Sequence, residues 1–150
     1  MKEKKDSLKS MLNGQTDQDL LKIAEYYNIN INDIDFIDNI FADNIENGNY
    51  ICNLDKGLVK GTHWVAFIKN NNEIGYFDSF GFRPPLILEK YCKQNNLKCF
   101  FNLNQFQNIN SSLCGLYCLL FLLIGSNMTF YNKKSFNDIL DEMKFWSISP

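Results

Sequence analysis

The sequence predicts an α+β fold, and three features carry that expectation. The first is THWVAFIKNNNEIGYFDSF, residues 62–80, where two apolar runs flank an asparagine-rich polar centre. Asparagine tolerates the left-handed backbone that tight turns require, so this stretch reads as a β-hairpin. The second is a pair of strand candidates on either side of it, NYICNL (49–54) and LKCFFNL (97–103). The third is the run from 113 to 125, apolar nearly all round, which reads as a buried helix.

The remaining elements follow in chain order. Residues 1–15 form a loose polar lead-in, and the MKEKK cluster within it reads as a solvated terminus. Thr16 or Asp17 caps a helix to about Tyr27, with Leu20, Ile23, Ala24 and Tyr27 on one face. NINDIDFIDNIFADNIEN has apolar residues at mixed spacing and reads as loop with short helical turns. GLVKG (57–61) is a glycine-bounded loop, and FGFRPP is a turn whose prolines start a helix from about Pro85 to Gln94. Residues 104–112 are a polar loop. Ser135, with Asp138 three residues on, opens a last helix through a capping box. There is no repeat and no linker, so residues 1–150 are expected to form a single domain.

Bulk properties exclude several function classes. The net charge is -2, which argues against a nucleic-acid footprint, since that needs a clustered basic face. The longest apolar run is too short to cross a bilayer, which takes about 20 residues. One histidine and no CxxC pair make a metal site an unpromising expectation, and no cofactor is implied. Five cysteines, an odd number, in a chain with no apolar leader after Met1 point to a reducing, intracellular setting with free thiols. Asparagine richness beside a single arginine is a matter of base composition and carries no function by itself.

The hairpin brings two chemical groups together. With the turn symmetric about Asn70–Asn71, opposed residues sum to 141, which pairs Val65 with Tyr76 and His63 with Asp78. Opposed residues share a face, with Cβ atoms about 5 Å apart. A carboxylate there accepts from one ring nitrogen and leaves the other to act as a base. The competing reading is that both residues merely cap the open end of the hairpin.

SSLCGLYCLLFL (111–122) raises a parallel question about Cys114. A helix starting at Ser112 or Leu113 puts Cys114 in its first turn, where free N–H groups and the helix dipole favour an anion. Cys118 lies one turn further on and serves as a buried control. Gly115 allows another chain to approach the backbone. Both cysteines are otherwise small core residues. Gln107, seven residues earlier, is either an amide donor for an oxyanion or a polar loop residue.

Taken together, GTHWVAF, YFDSFGF, and Gln107 with NSSLCGLYC resemble the motifs of the adenovirus-type (adenain-like) cysteine endopeptidases. The wider clan holds the ubiquitin-like-protein-specific proteases. The resemblance runs from about residue 60 to 125. It implies a central, mostly antiparallel sheet with the cysteine helix packed on it, in a papain-like or adenain-like arrangement. It implies His63 as general base and then acid, Asp78 as its orienting group, Cys114 as nucleophile and Gln107 as oxyanion donor. Trp64 would pack beside the histidine, although a strand aromatic is equally plain core. A narrow tunnel near Trp64 and Gly115 would explain the family's preference for glycine before the cleaved bond.

The resemblance also has departures. The chain is short for the family and lacks a clear counterpart past Leu123. Adenovirus enzymes are more basic and use DNA and a disulfide-linked peptide as activators. DNA is not carried over to this acidic chain, and no cysteine is selected for an activating peptide. Cys52, Cys92 and Cys99 are read as structural thiols. The expected substrates are proteins or polyproteins, capsid precursors among them. No membrane partner is implied, and the expected location is host cytoplasm or viral factory, with packaging into the virion. A deconjugase of ubiquitin-like proteins, an acyltransferase and a catalytically decayed binding module on the same fold remain as other readings.

Overall fold

The computed structural model describes residues 15–54, 63–108, 112–128 and 135–146. Most of the polar lead-in, the GLVKG loop and residues 109–111 of the polar loop lie outside these. The elements in order are α1 (Asp17–Tyr26), β1 (Asp33–Phe36), α2 (Ile37–Ile40), β2 (Gly48–Asn53), β3 (Trp64–Asn70), β4 (Glu73–Phe77), α3 (Leu86–Gln94), β5 (Lys98–Phe101), α4 (Cys114–Met128) and α5 (Phe136–Trp146).

The α+β class holds, in the form of one five-stranded sheet in the order β1-β2-β3-β4-β5. Its centre is antiparallel, β2 with β3 and β3 with β4. Both edges are parallel, β1 with β2 and β4 with β5. The sheet is therefore mixed, where a mostly antiparallel one was expected. Parallel neighbours need a crossover segment, and here the stretch containing α2 and the stretch containing α3 supply it.

β1 is the strand that sequence reasoning did not find. Its sequence is DIDF, and aspartate is depleted in strands. Asp33 and Asp35 each accept from the next residue's N–H, at 2.8 and 2.7 Å. Those local bonds suit a short edge strand, where one side of the backbone has no partner strand.

Strand alternation divides the core into two layers. Ile51, Trp64, Ala66 and Phe77 face α1, α4 and α5, with Leu20, Cys118, Phe121 and Met143. Tyr50, Cys52, Val65, Phe67, Ile74 and Tyr76 face α2 and α3, with Ile37, Ile40, Leu88 and Cys92. α4 is buried between β3 and the helices α1 and α5, which explains its lack of a polar face. Two caps form as the sequence indicates. Thr16 and Asp19 make a reciprocal capping box on α1, and Ser135 and Asp138 make one on α5.

The hairpin register differs from the expected one by two residues. Ala66 opposes Phe77, Phe67 opposes Tyr76 and Lys69 opposes Ile74, so opposed residues sum to 143. The turn is at Asn71–Asn72, one residue later than the symmetric choice. All three asparagines suit a turn chemically, so composition could not select the pair. A slip of two preserves side-chain parity, whereas a slip of one reverses it.

The ends of β2, β4 and β5 and the start of β3 lie at one end of the sheet, and a buried asparagine there joins the segments that follow β4 and β5. Asn102, just after β5, is 2% exposed. Its Oδ1 accepts from the Asp78 N–H at 2.9 Å. Its Nδ2 donates to the Asp78 carbonyl at 2.6 Å and to the Asn104 carbonyl at 3.0 Å. Asn102→Ala leaves those backbone groups buried without partners. We expect a loss of about 2–4 kcal/mol, read as a lower denaturant midpoint at unchanged m-value.

Candidate active site

The Asp78–Gly81 turn is the centre of the site. The Gly81 N–H donates to the Asp78 carbonyl at 2.9 Å and closes the turn. Gly81 has φ +77°, and a Cβ there would stand 2.8 Å from the Leu103 carbonyl oxygen. Only glycine fits that combination of backbone and space. The turn directs the Asp78 side chain back toward the start of β3.

His63 meets it there. His63 Nε2 lies 2.8 Å from Asp78 Oδ1. Asp78 is 1% exposed and the histidine side chain 19%. In the observed register the two residues lie diagonally on one face of the hairpin, no longer opposite each other. The contact expected from sequence is made because the parity was right. Oδ1 of Asp78 also accepts from the Phe80 N–H at 2.8 Å. The Phe80 ring stacks on the imidazole, with centroids 4.4 Å apart and planes 14° from parallel.

The histidine's other nitrogen, Nδ1, is buried and hydrogen-bonded to no group among the described residues. Cys114 nevertheless acts on the ring from close by. Burial is the largest influence on His63 and pulls its pKa down. The Asp78 hydrogen bond, the Cys114 interaction and the charges of both groups outweigh burial and push it up to about 9. A raised pKa favours the protonated ring at neutral pH.

Cys114 is the first residue of α4 and is 5% exposed. The Trp64 backbone N–H donates to its Sγ at 3.5 Å, so the start of β3 holds both the sulfur and, one residue earlier, the histidine. Cys118, one turn on, is fully buried, and burial holds its thiol well above the ordinary range. All five cysteines are free. Cys92 and Cys99 hydrogen-bond each other, which lowers the first and raises the second.

Gly115 occupies a different setting from the one expected. Its N–H donates to Gln15 Oε1 at 3.1 Å. A Cβ on it would come within 2.7 Å of both Gln15 Oε1 and Leu20 Cδ2. The close approach that glycine permits is thus made by Gln15 and by Leu20 of α1. Gln15 also accepts the Trp64 indole N–H through its carbonyl, at 3.0 Å. Trp64 is 5% exposed and lines a hollow of about 330 Å³ with Gln15, Ile34, Phe36 and Asn53. A second hollow of about 310 Å³ shares Phe36 and Asn53 and extends to Leu54 and Leu86.

Gln107 is 3% exposed. Its N–H and that of Phe106 donate to the Ser79 carbonyl at 3.2 and 2.8 Å, which fastens this loop to the Asp78 turn. The structure therefore brings His63, Asp78, Cys114 and Trp64 into one cluster and holds Gln107 by its backbone beside it.

Sequence reasoning missed Gln15, Phe80 and Asn102. Phe80 stood in the FGF that follows the acid and carried a weak signal there. Gln15 and Asn102 carried none, being two amides in a chain full of them. Among the described residues there is no group of three His, Cys, Asp or Glu side chains arranged to hold a metal. No helix among them is long and apolar enough to cross a membrane.

No protein-family model matches the sequence, and no curated protein matches it significantly. Solved structures similar to the chain include two of one viral protease. The crystal structure of the selenomethionine form of the ASFV pS273R protease matches at 20% identity and TM-score 0.46, over 65% of this chain and 41% of that one. A further crystal structure of the ASFV pS273R protease matches at 15% identity and TM-score 0.48, over 83% of this chain and 62% of that one. This chain spans less than two thirds of the length of either.

Proposed function

We propose that this chain is a cysteine endopeptidase with Cys114 as nucleophile, His63 as acid and base, and Asp78 as the group that orients the histidine. The observation that carries the reading is the cluster itself. One imidazole sits between a buried carboxylate at 2.8 Å and the sulfur that opens a buried helix. A lone cysteine at a helix start is ordinarily core, but core thiols do not need a charged ring beside them.

In this mechanism the Cys114 thiolate attacks the carbonyl carbon of a peptide bond and the carbonyl oxygen becomes an oxyanion. The Cys114 N–H, at the first position of α4, and the Gln107 amide stabilise it. As the C–N bond breaks, His63 Nδ1 gives its proton to the leaving amine. A thioester remains. Water then attacks it, Nδ1 takes the water's proton, and the thiolate departs as the acid product forms. Nε2 stays on Asp78 throughout, which leaves Nδ1 as the working nitrogen.

The substrate level of the reading rests on the resemblance in GTHWVAF and NSSLCGLYC. It favours bonds next to glycine and, as substrates, viral precursor proteins processed inside the host cell or the virion. The hollow beside Trp64 and the one that continues from it past Phe36 and Asn53 offer room for an extended chain. A deconjugase would use the same chemistry and differ only in substrate.

Residue-resolved alkylation by iodoacetamide at pH 6 tests the nucleophile. Cys114 is expected to react at least about tenfold faster than Cys118, and His63→Ala to slow it toward the Cys118 rate. Equal rates at Cys114 and Cys118 would sink the enzymatic reading in favour of a binding module. Glycine-containing reporter peptides tested against ubiquitin-like fusions then separate endopeptidase from deconjugase. With either substrate, Gln107→Ala is expected to cost about 10²–10³ in kcat.

The pH profile gives a third expectation. His63 is raised from 6.5 to about 9 in the folded chain. A raised pKa means that folding favours the protonated ring. The stability it contributes is complete below pH 6.5 and is lost as pH rises toward 9. Activity that needs the imidazolium as acid should fall along an alkaline limb near pH 9. Asp78→Asn removes the charge and weakens the hydrogen bond, so that limb should move to lower pH. An unmoved limb would assign it to another group.

A further inference from the structure

We infer that Phe80 is a positioning residue for His63, its ring stacking on the imidazole to fix the plane of the histidine and to favour its charged form. The inference rests on the proposed role of His63 for its effect on turnover, but the stacking can be tested without turnover.

Asp78 alone does not fix the histidine. A single contact at Nε2 leaves the ring free to rotate about that bond, and rotation carries Nδ1 away from Cys114. A ring stacked at 4.4 Å and 14° removes that freedom. Phe80 is well placed to do so because its own backbone is fixed by the same carboxylate oxygen that holds the histidine. Its position is one residue before Gly81, inside the closed turn. Phe82 stands behind it, with ring centroids 6.0 Å apart.

The stacking also has an electrostatic consequence. The face of a phenyl ring is negative, and a cation held over it is stabilised. The titratable groups that act on His63 are Asp78, from the end of β4, and Cys114, from the start of α4. Asp78 meets the imidazole edge-on through Nε2, whereas Phe80 covers a face, so these two contacts are independent in direction. If Phe80 only filled space, any apolar side chain of similar bulk would serve.

The chain has one histidine, so its imidazole proton resonances belong to His63 alone. The experiment is an NMR titration of that ring in the wild type, in Phe80→Leu, in Phe80→Tyr and in a chain carrying trifluorophenylalanine at position 80. Fluorination keeps the shape of the ring and withdraws electron density from its face. Phe80→Leu is expected to lower the titration midpoint by about 0.5–1 pH unit. Phe80→Tyr should keep the wild-type midpoint, and the fluorinated chain should fall between wild type and leucine. On a cleaved reporter, kcat should drop several-fold in Phe80→Leu with KM little changed.

A midpoint unmoved in both the leucine and the fluorinated chains overturns the inference, even where hydrolysis is intact. A shifted midpoint in a protein that cleaves nothing upholds the stacking and counts against the protease reading alone. Should Phe80→Leu fail to fold, the fluorinated chain decides, since it alters no volume that matters to packing.

Discussion

One carboxylate oxygen, Oδ1 of Asp78, organises the site. It accepts from His63 Nε2 and from the Phe80 N–H, both at 2.8 Å. The same residue's backbone is gripped on both sides by the Asn102 amide. The next carbonyl, that of Ser79, receives the N–H groups of Phe106 and Gln107. Four consecutive residues therefore place the histidine, the ring above it and the glutamine loop. A buried anion costs several kcal/mol unless it is hydrogen-bonded, so the carboxylate and its donors enforce one another. Removing any one of them leaves the others with nowhere else to turn.

Cys114 is placed from the opposite layer by a separate set of contacts. α4 is held by apolar packing along its length, and its first turn is closed by Gln15. That residue joins the Gly115 N–H to the Trp64 indole, through its side chain in one case and its carbonyl in the other. Trp64 in turn gives its backbone N–H to Cys114 Sγ. Cys118, one turn further into the helix, is held toward the neutral form by burial first and by the charges of Cys114, Asp78 and Cys52 after it.

The sequence was most informative where a period or a cap fixed the answer. The capping residues Thr16 and Ser135, the apolar α4 and the alternating runs of the central hairpin all rest on local rules. Local rules stopped short where several residues satisfied them equally. Three successive asparagines could each close the hairpin, and the turn formed one residue beyond the symmetric choice. The diagonal meeting of His63 and Asp78 survived because side-chain direction depends on parity and not on the exact partner. β1 was hidden because its two aspartates bond their own backbone, which is loop chemistry carried by a strand. The parallel β1–β2 edge was missed with it. Asn102 and Gln15 were illegible for another reason. Each acts on residues far along the chain, and nothing in the neighbourhood of either records the partner.

Parity also explains why the cluster must lie at the end of the sheet. Val65 and Phe67 face the layer of α2 and α3, and His63 continues that series. Trp64 and Ala66 face the layer of α4, where Cys114 resides. Within a strand, side chains from these two series are kept apart by the backbone itself. Only beyond the last paired residue can a side chain from one series turn round the strand and meet a group from the other. His63 stands one residue outside β3, and Asp78 one residue outside β4. Each has left the ladder by the single step that the meeting requires. The rigid pairs behind them, Ala66 with Phe77 and Asn53 with Trp64, keep that step from becoming disorder. The sheet thus supplies precision up to its edge, and the Asp78 turn supplies it beyond.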